Sequence, residues 1–212
     1  MFTWGGTTVP GEGELVVIQQ SQTVYFDAQT PVLAGIIILG GSLIFDDLQD
    51  VSLNAQYIII TSNGTLQIGT ENAPFMHKAN ITMYGSVGSI ELPIYGSKVI
   101  ALRNGTIDMH GAPVGVTWTH LGQTANLGDS QITLKEPVSW SVGSQIVIAT
   151  TGDYESQGET EVRTIVNVNG TQITLDSPLD YTHLSENRTV FDTYVLIQAE
   201  VGLLTRNVLF QG

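Results

Sequence analysis

The chain reads as all-β, a right-handed parallel β-helix (solenoid) carrying a β-rich side insertion, and three observations predict it. An apolar run, a glycine, a small hydroxyl residue and a second apolar run recur as one phrase. The Gly-Ser/Thr pairs begin at 41, 64, 85 and 105, giving spacings of 23, 21 and 20. A near-constant period of this length marks a solenoid, whose turns bury a continuous core only by stacking. The 23 glycines and the wealth of Ile, Val and Thr favour strands and turns. No segment shows the apolar period of an amphipathic helix.

Residues 1–212 are expected to form a single domain whose parts follow in order. Residues 1–31 supply an N-terminal cap and the first strands. The Gly- and Pro-rich opening at 3–13 covers the naked face of the first coil, with Trp4 as its plug. Residues 32–115 are the coils, with apolar runs at 36–45, 58–68, 81–87 and 99–109. Alternation points every second side chain inward, so Leu43, Leu66, Val87 and Ile107 are expected in one internal column.

Residues 116–186 form the β insertion, because 127–140 recurs 41 residues later as 168–181, with strands at 144–149 and 162–168 between the copies. The linker 152–158 reads as a mobile loop. Residues 187–212 read as a returning coil, with strands at 194–197 and 207–210; the closing Val208-Leu209-Phe210-Gln211-Gly212 fits either a native strand or the remnant of a viral-protease tag.

A formal charge of −13, from 7 Lys plus Arg against 20 Asp plus Glu, excludes nucleic acid as a partner and disfavours anionic membranes. It also weakens any grip on a polyanionic glycan unless Lys98, Arg103, Arg163 and Arg206 converge. The longest uncharged stretch, 28–45, is broken by Pro31 and by glycines, so it is strand and not a membrane span. No direct membrane contact is expected. Cysteine is absent, which permits a reducing compartment.

Five sequons point the other way, at Asn63, Asn80, Asn104, Asn169 and Asn187. Asn-Gly is also a favoured tight-turn dipeptide, so three of the five have a purely conformational reading. Residues 1–4 lack the basic start and apolar stretch of a signal peptide, and the chain reads as an excised fragment.

Cutting a glycosidic bond needs two carboxyl or equivalent groups flanking it. Asp46, Asp47, Asp50, Glu71 and Asp108 with His110 are the acids available on the coils, and nothing selects among them; solvated turn acids are the plainer reading. Asp46, Asp47 and Asp50 lack the spacing of a calcium loop, and the four histidines lack zinc-site spacing, so neither metal nor cofactor is expected. Trp118, Trp140 and Tyr154 form a sugar platform only if they share a face.

Trp4-Gly5-Gly6, Pro10-Gly11-Glu12-Gly13, the ladder glycines, 142–148 and the closing Leu203-Leu204-Thr205-Arg206-Asn207 together resemble the G8 domain family, in particular its fibrocystin-type members. The resemblance covers nearly the whole chain. It implies an extracellular, non-catalytic structural or interaction module of a large single-pass cell-surface glycoprotein that coats cilia or stereocilia-like epithelial projections. The partners implied are other extracellular domains of the same protein, or cell-surface proteins and glycans. Other carriers of the domain are linked to hyaluronan, so the alternative is a hyaluronan-binding or hyaluronan-depolymerising domain. Arg206 is the basic residue inside a family-like motif, suited to a glycan carboxylate or to a structural ion pair.

Overall fold

The computed structural model describes residues 9–212, so the proposed plug at Trp4 lies outside the described residues. The chain is all-β and divides into two compact units, one running to Pro113 and resuming at Arg206–Gly212, the other Val114–Thr205. The first unit holds β1 (Leu15–Gln19), β2 (Thr23–Phe26), β3 (Gly35–Leu39), β4 (Ser42–Phe45), β5 (Val51–Ala55), β6 (Tyr57–Ile68), β7 (Ala79–Met83) and β8 (Val99–Met109). The second holds β9 (Trp118–His120), β10 (Gln131–Thr133), β11 (Gln145–Ile148), β12 (Glu161–Asn169), β13 (Gln172–Leu175), β14 (Ser185–Val190), β15 (Thr193–Gln198) and β16 (Glu200–Leu203). Strand β17 (Val208–Gln211) belongs to the first unit again.

Pairing between strands of the first unit is parallel. β1 pairs β3, which pairs the first half of β6; β2 pairs β4, which pairs its second half; and β8 runs along all of β6. A third ladder joins β5, β7 and β17. The registers stack like on like: Val16, Ile36, Ile58 and Ile100 form one column, and Val24, Leu43, Leu66 and Ile107 another. Ile36, Ile58, Leu43 and Leu66 are essentially sealed from solvent. Each such side chain contributes about 1.5–3 kcal/mol on burial.

The glycines of the recurring phrase have a steric cause. A Cβ at Gly41 would stand 2.4 Å from the Gln19 carbonyl oxygen, and one at Gly64 would stand 2.6 Å from that of Ile38. Adjacent strands approach too closely at this bend for any side chain. The residues just before Gly64 and Gly105, Asn63 and Asn104, take left-handed φ of 65° and 57°, a conformation asparagine tolerates better than most residues.

Two expectations about the coils are corrected. Val87 does not enter the column but is fully exposed, and Val24 supplies the fourth member instead. The phrase at 81–87 has the right period yet sits elsewhere: Ile81 and Met83 belong to β7 in the third ladder, and the stacked glycine after Gly64 is Gly105. The sequence between β7 and β8 forms a loop that leaves the ladder.

Pairing in the second unit is antiparallel, in the order β10-β13-β12-β11-β16-β9, with β14 and β15 as a separate hairpin. Parallel pairing between strands is therefore confined to the first unit. The 41-residue repeat is visible in the second. Its two Gln-Ile-Thr copies pair with each other about a local two-fold, Gln131 against Thr174, Ile132 against Ile173 and Thr133 against Gln172. The Leu134 N–H reaches the Thr171 carbonyl at 2.8 Å and the Leu175 N–H reaches that of Ser130 at 2.9 Å, the same bond made twice. Ile132, Leu134, Trp140, Ile146, Ile165, Ile173 and Leu175 build the core of this unit.

Its boundaries differ from those read in the sequence. The expected insertion at 116–186 extends to Thr205, and the expected returning coil at 187–212 divides. β14, β15 and β16 pair antiparallel within the second unit, whereas β17 joins β7 in parallel. The linker at 152–158 carries a 3-10 turn, Tyr154–Glu159, whose N-cap Asp153 accepts from the Glu155 N–H at 3.0 Å. Ser156 is buried within it, so this segment has ordered contacts where a mobile loop was expected.

Candidate functional site

Of the acids named from sequence, Asp46, Asp47, Asp50 and Glu71 lie between strands of the first unit and Asp108 lies on β8, and two of them are occupied by backbone. Asp47 accepts from the N–H groups of Met76 at 2.8 Å and His77 at 2.9 Å, and from the His77 ring Nδ1 at 2.7 Å. Asp50 accepts from the Lys78 N–H at 2.9 Å. These bonds fix the segment that leads into β7. Burial raises the Asp47 pKa, but the hydrogen bonds from His77 and Met76 outweigh it and hold the carboxyl below the usual aspartate range. A general acid needs the opposite shift.

Asp108 and His110 lie side by side, Oδ1 to Nε2 at 2.9 Å, each partly exposed. Among the described residues no second carboxylate joins them by a hydrogen bond. Among the described residues no three His, Cys, Asp or Glu side chains gather as a metal site.

Arg206 is exposed at the approach to β17. Its neighbour Asn207 is held by three hydrogen bonds. The Asn207 amide donates to the carbonyls of Phe75 at 2.6 Å and His77 at 2.7 Å, while its Oδ1 accepts from the Ala112 N–H at 2.9 Å. One side chain thus ties three turns of the first unit together.

The aromatic platform does not form. Trp140 is buried in the core of the second unit with its indole N–H on the Val116 carbonyl at 2.7 Å, whereas Trp118 and Tyr154 are exposed. Of the sequon asparagines, Asn63, Asn104, Asn169 and Asn187 are exposed. Asn80 is half-buried in β7, between Ser52 of β5 and Leu209 of β17.

A buried ionic cluster in the second unit went unread in the sequence. Glu161 and His183 are almost wholly enclosed, with His183 Nε2 on Glu161 Oε1 at 2.9 Å and His183 Nδ1 on the Ala149 carbonyl at 2.9 Å. Both ring nitrogens thus lie against oxygen atoms. Glu161 also accepts from the N–H groups of Asp180 and Tyr181, each at 2.9 Å, and pairs with Arg163, which reaches Asp180 at 2.9 Å. Burial alone raises the Glu161 pKa; the bonds from Asp180, His183 and Tyr181 and the Arg163 charge overcome it and depress it.

The signal was strand parity: Glu161 and Arg163 share the inward face of β12 with Ile165, so two opposite charges fell on core positions. His183 and Glu161 at its centre are enclosed, while Asp180 at its edge is exposed. Its work is to lock β12 to the segment at 178–183.

Comparison with known proteins agrees with the glycine pattern. The sequence profile of the G8 domain matches residues 3–122. Fibrocystin-L of Homo sapiens is 51% identical over 214 residues, covering 100% of this chain and 5% of the relative. Fibrocystin of Mus musculus is 37% identical over 210 residues, covering 99% of this chain and 5% of the relative. Protein rliB of Dictyostelium discoideum is 31% identical over 220 residues, 99% of this chain and 19% of its own length. The chain therefore spans a small fraction of the relatives it matches, and it belongs to the G8 domain family.

Proposed function

We propose that this chain is a non-catalytic structural and interaction module of a large single-pass cell-surface glycoprotein, exposed outside the cell on ciliary or stereocilia-like projections. In this reading the parallel ladders of the first unit are turns of a right-handed β-helix, and four exposed sequon asparagines carry the sugar. Its partners are other extracellular domains of the same protein or neighbouring surface proteins and glycans, and Arg206 serves the fold. No helix among the described residues is long and apolar enough to cross a membrane.

The observation that carries the proposal is the use made of the acids. Asp47 and Asp50 are spent on backbone N–H groups, and Glu161 is enclosed against Arg163 and His183. Carboxylates so committed hold turns and are not free to flank a glycosidic bond. Fibrocystin-type relatives aligned over the whole chain add support from outside.

Incubation of the purified chain with size-defined hyaluronan, with and without Ca²⁺, is expected to give neither retention nor shortening. Reproducible depolymerisation would overturn the reading in favour of a hyaluronan-active domain.

A further inference from the structure

We infer that the second unit binds a neutral oligosaccharide on the outer face of β10 and β13. The inference rests on the interaction-module reading and names the chemistry of one ligand. The local two-fold that puts Ile132 and Ile173 into the core puts Gln131, Thr133, Gln172 and Thr174 on the opposite face. Gln131 stands across from Thr174 and Thr133 across from Gln172, so amides and hydroxyls alternate at the corners of one patch. Cross-strand neighbours lie about 5 Å apart and same-strand ones about 7 Å apart, the scale of one or two sugar rings.

Among the described residues no intramolecular hydrogen bond engages these four side chains. They floor a groove of about 530 Å³ whose walls include Thr124 and Asp129. Two carboxamides, each donor and acceptor, and two hydroxyls match the paired donor and acceptor demand of vicinal sugar hydroxyls.

Charge selects within the glycans. The groove contains no cation, and its one charged group is Asp129, whose carboxylate accepts from the Asn126 N–H at 2.8 Å. In a chain of formal charge −13 a uronate, sulfate or phosphate meets repulsion with no compensating partner. A peptide adding itself as a strand is also disfavoured. The outer edge of β10 is taken, since the Gly122 N–H already donates to the Thr133 carbonyl at 2.8 Å and Leu121 bridges Leu134.

The test is ¹⁵N NMR titration of the full chain with lactose, N,N′-diacetylchitobiose and mannobiose, beside a hyaluronan tetrasaccharide and a five-residue Ser/Thr-rich peptide. At least one neutral disaccharide is expected to shift the side-chain amide signals of Gln131 and Gln172, while the hyaluronan fragment and the peptide leave them in place. Gln131→Ala with Gln172→Ala, both on the solvent face, is expected to weaken that binding about tenfold or more at unchanged thermal stability. Silence from all three disaccharides, binding undiminished in the double variant, or the same shifts produced by the hyaluronan fragment or the peptide would each overturn the inference. The interaction-module reading fails separately, by depolymerisation of long hyaluronan, so the two failures are distinct.

Discussion

Gly105 lies directly against Gly64 of the neighbouring strand: a Cβ added at 105 would stand 2.8 Å from the Gly64 carbonyl oxygen and 2.8 Å from Ile60 Cγ2. The obstruction is backbone on one side and core on the other, so neither can swing away. Gly105→Ala is expected to destabilise the chain by about 1–3 kcal/mol, the usual cost of overpacking. Gly88→Ala, where a Cβ meets open space, is the control and should leave the urea midpoint nearly unmoved. Equal midpoints for the two variants would remove the steric account of the recurring glycine.

Asn207 holds its three turns through both ends of its amide. Asn207→Asp keeps the acceptor for the Ala112 N–H but sets a second oxygen against the carbonyls of Phe75 and His77. The loss of two bonds plus repulsion is expected to lower stability by about 2–4 kcal/mol, read by chemical denaturation. Amide exchange at Ala112 should accelerate less than exchange near His77; the reverse order would contradict the bonding described.

The buried cluster gives a pH dependence of definite sign. The folded-state pKa of Glu161 is depressed, so its contribution is fully present above the ordinary glutamate value and is lost as pH falls through the folded one. Asp47 and Asp176 are shifted the same way, Asp176 first by the Thr164 N–H. Stability should therefore stay level from neutrality to about pH 5 and fall below it. Glu161→Gln removes the buried counter-charge of Arg163 and leaves it only the exposed Asp180, and is expected to cost about 3–5 kcal/mol at pH 7, with a shallower acid limb. An acid limb as steep as that of the parent would remove Glu161 as its source.

Expression through a mammalian secretory pathway is expected to place glycans on Asn63, Asn104, Asn169 and Asn187, which are exposed, and little or none on Asn80, which is flanked on both sides within its sheet. Peptide mapping after enzymatic deglycosylation reads each site separately. A chain with sugar at none of the five would leave the Asn-Gly sequons as turn chemistry alone.

Much of the fold was legible because it is local. Alternation in 36–45, 58–68 and 99–109 fixes which side chains face inward, and the glycine phrase marks where each strand bends; both survive as the columns through Leu43, Leu66 and Ile107. The repeat in the second half marks a β-rich unit, and only the pairing of its two copies makes it symmetric. The candidate acids were visible as residues, yet their fate was not, since Asp47 finds its donors 29 and 30 residues away.

What the sequence determined by itself was therefore class, core parity and charge: all-β, aliphatics inward, anionic, and G8 in its glycines. Tertiary structure alone decided register and partnership. Periodicity gave 81–87 the same standing as its neighbours, but only stacking against β5 could send Ile81 inward and leave Val87 in solvent. Glu161 and His183 met for the same reason, because the free energy of a buried ion depends on which opposite charges the whole chain brings within hydrogen-bond reach, and no local pattern contains that distance.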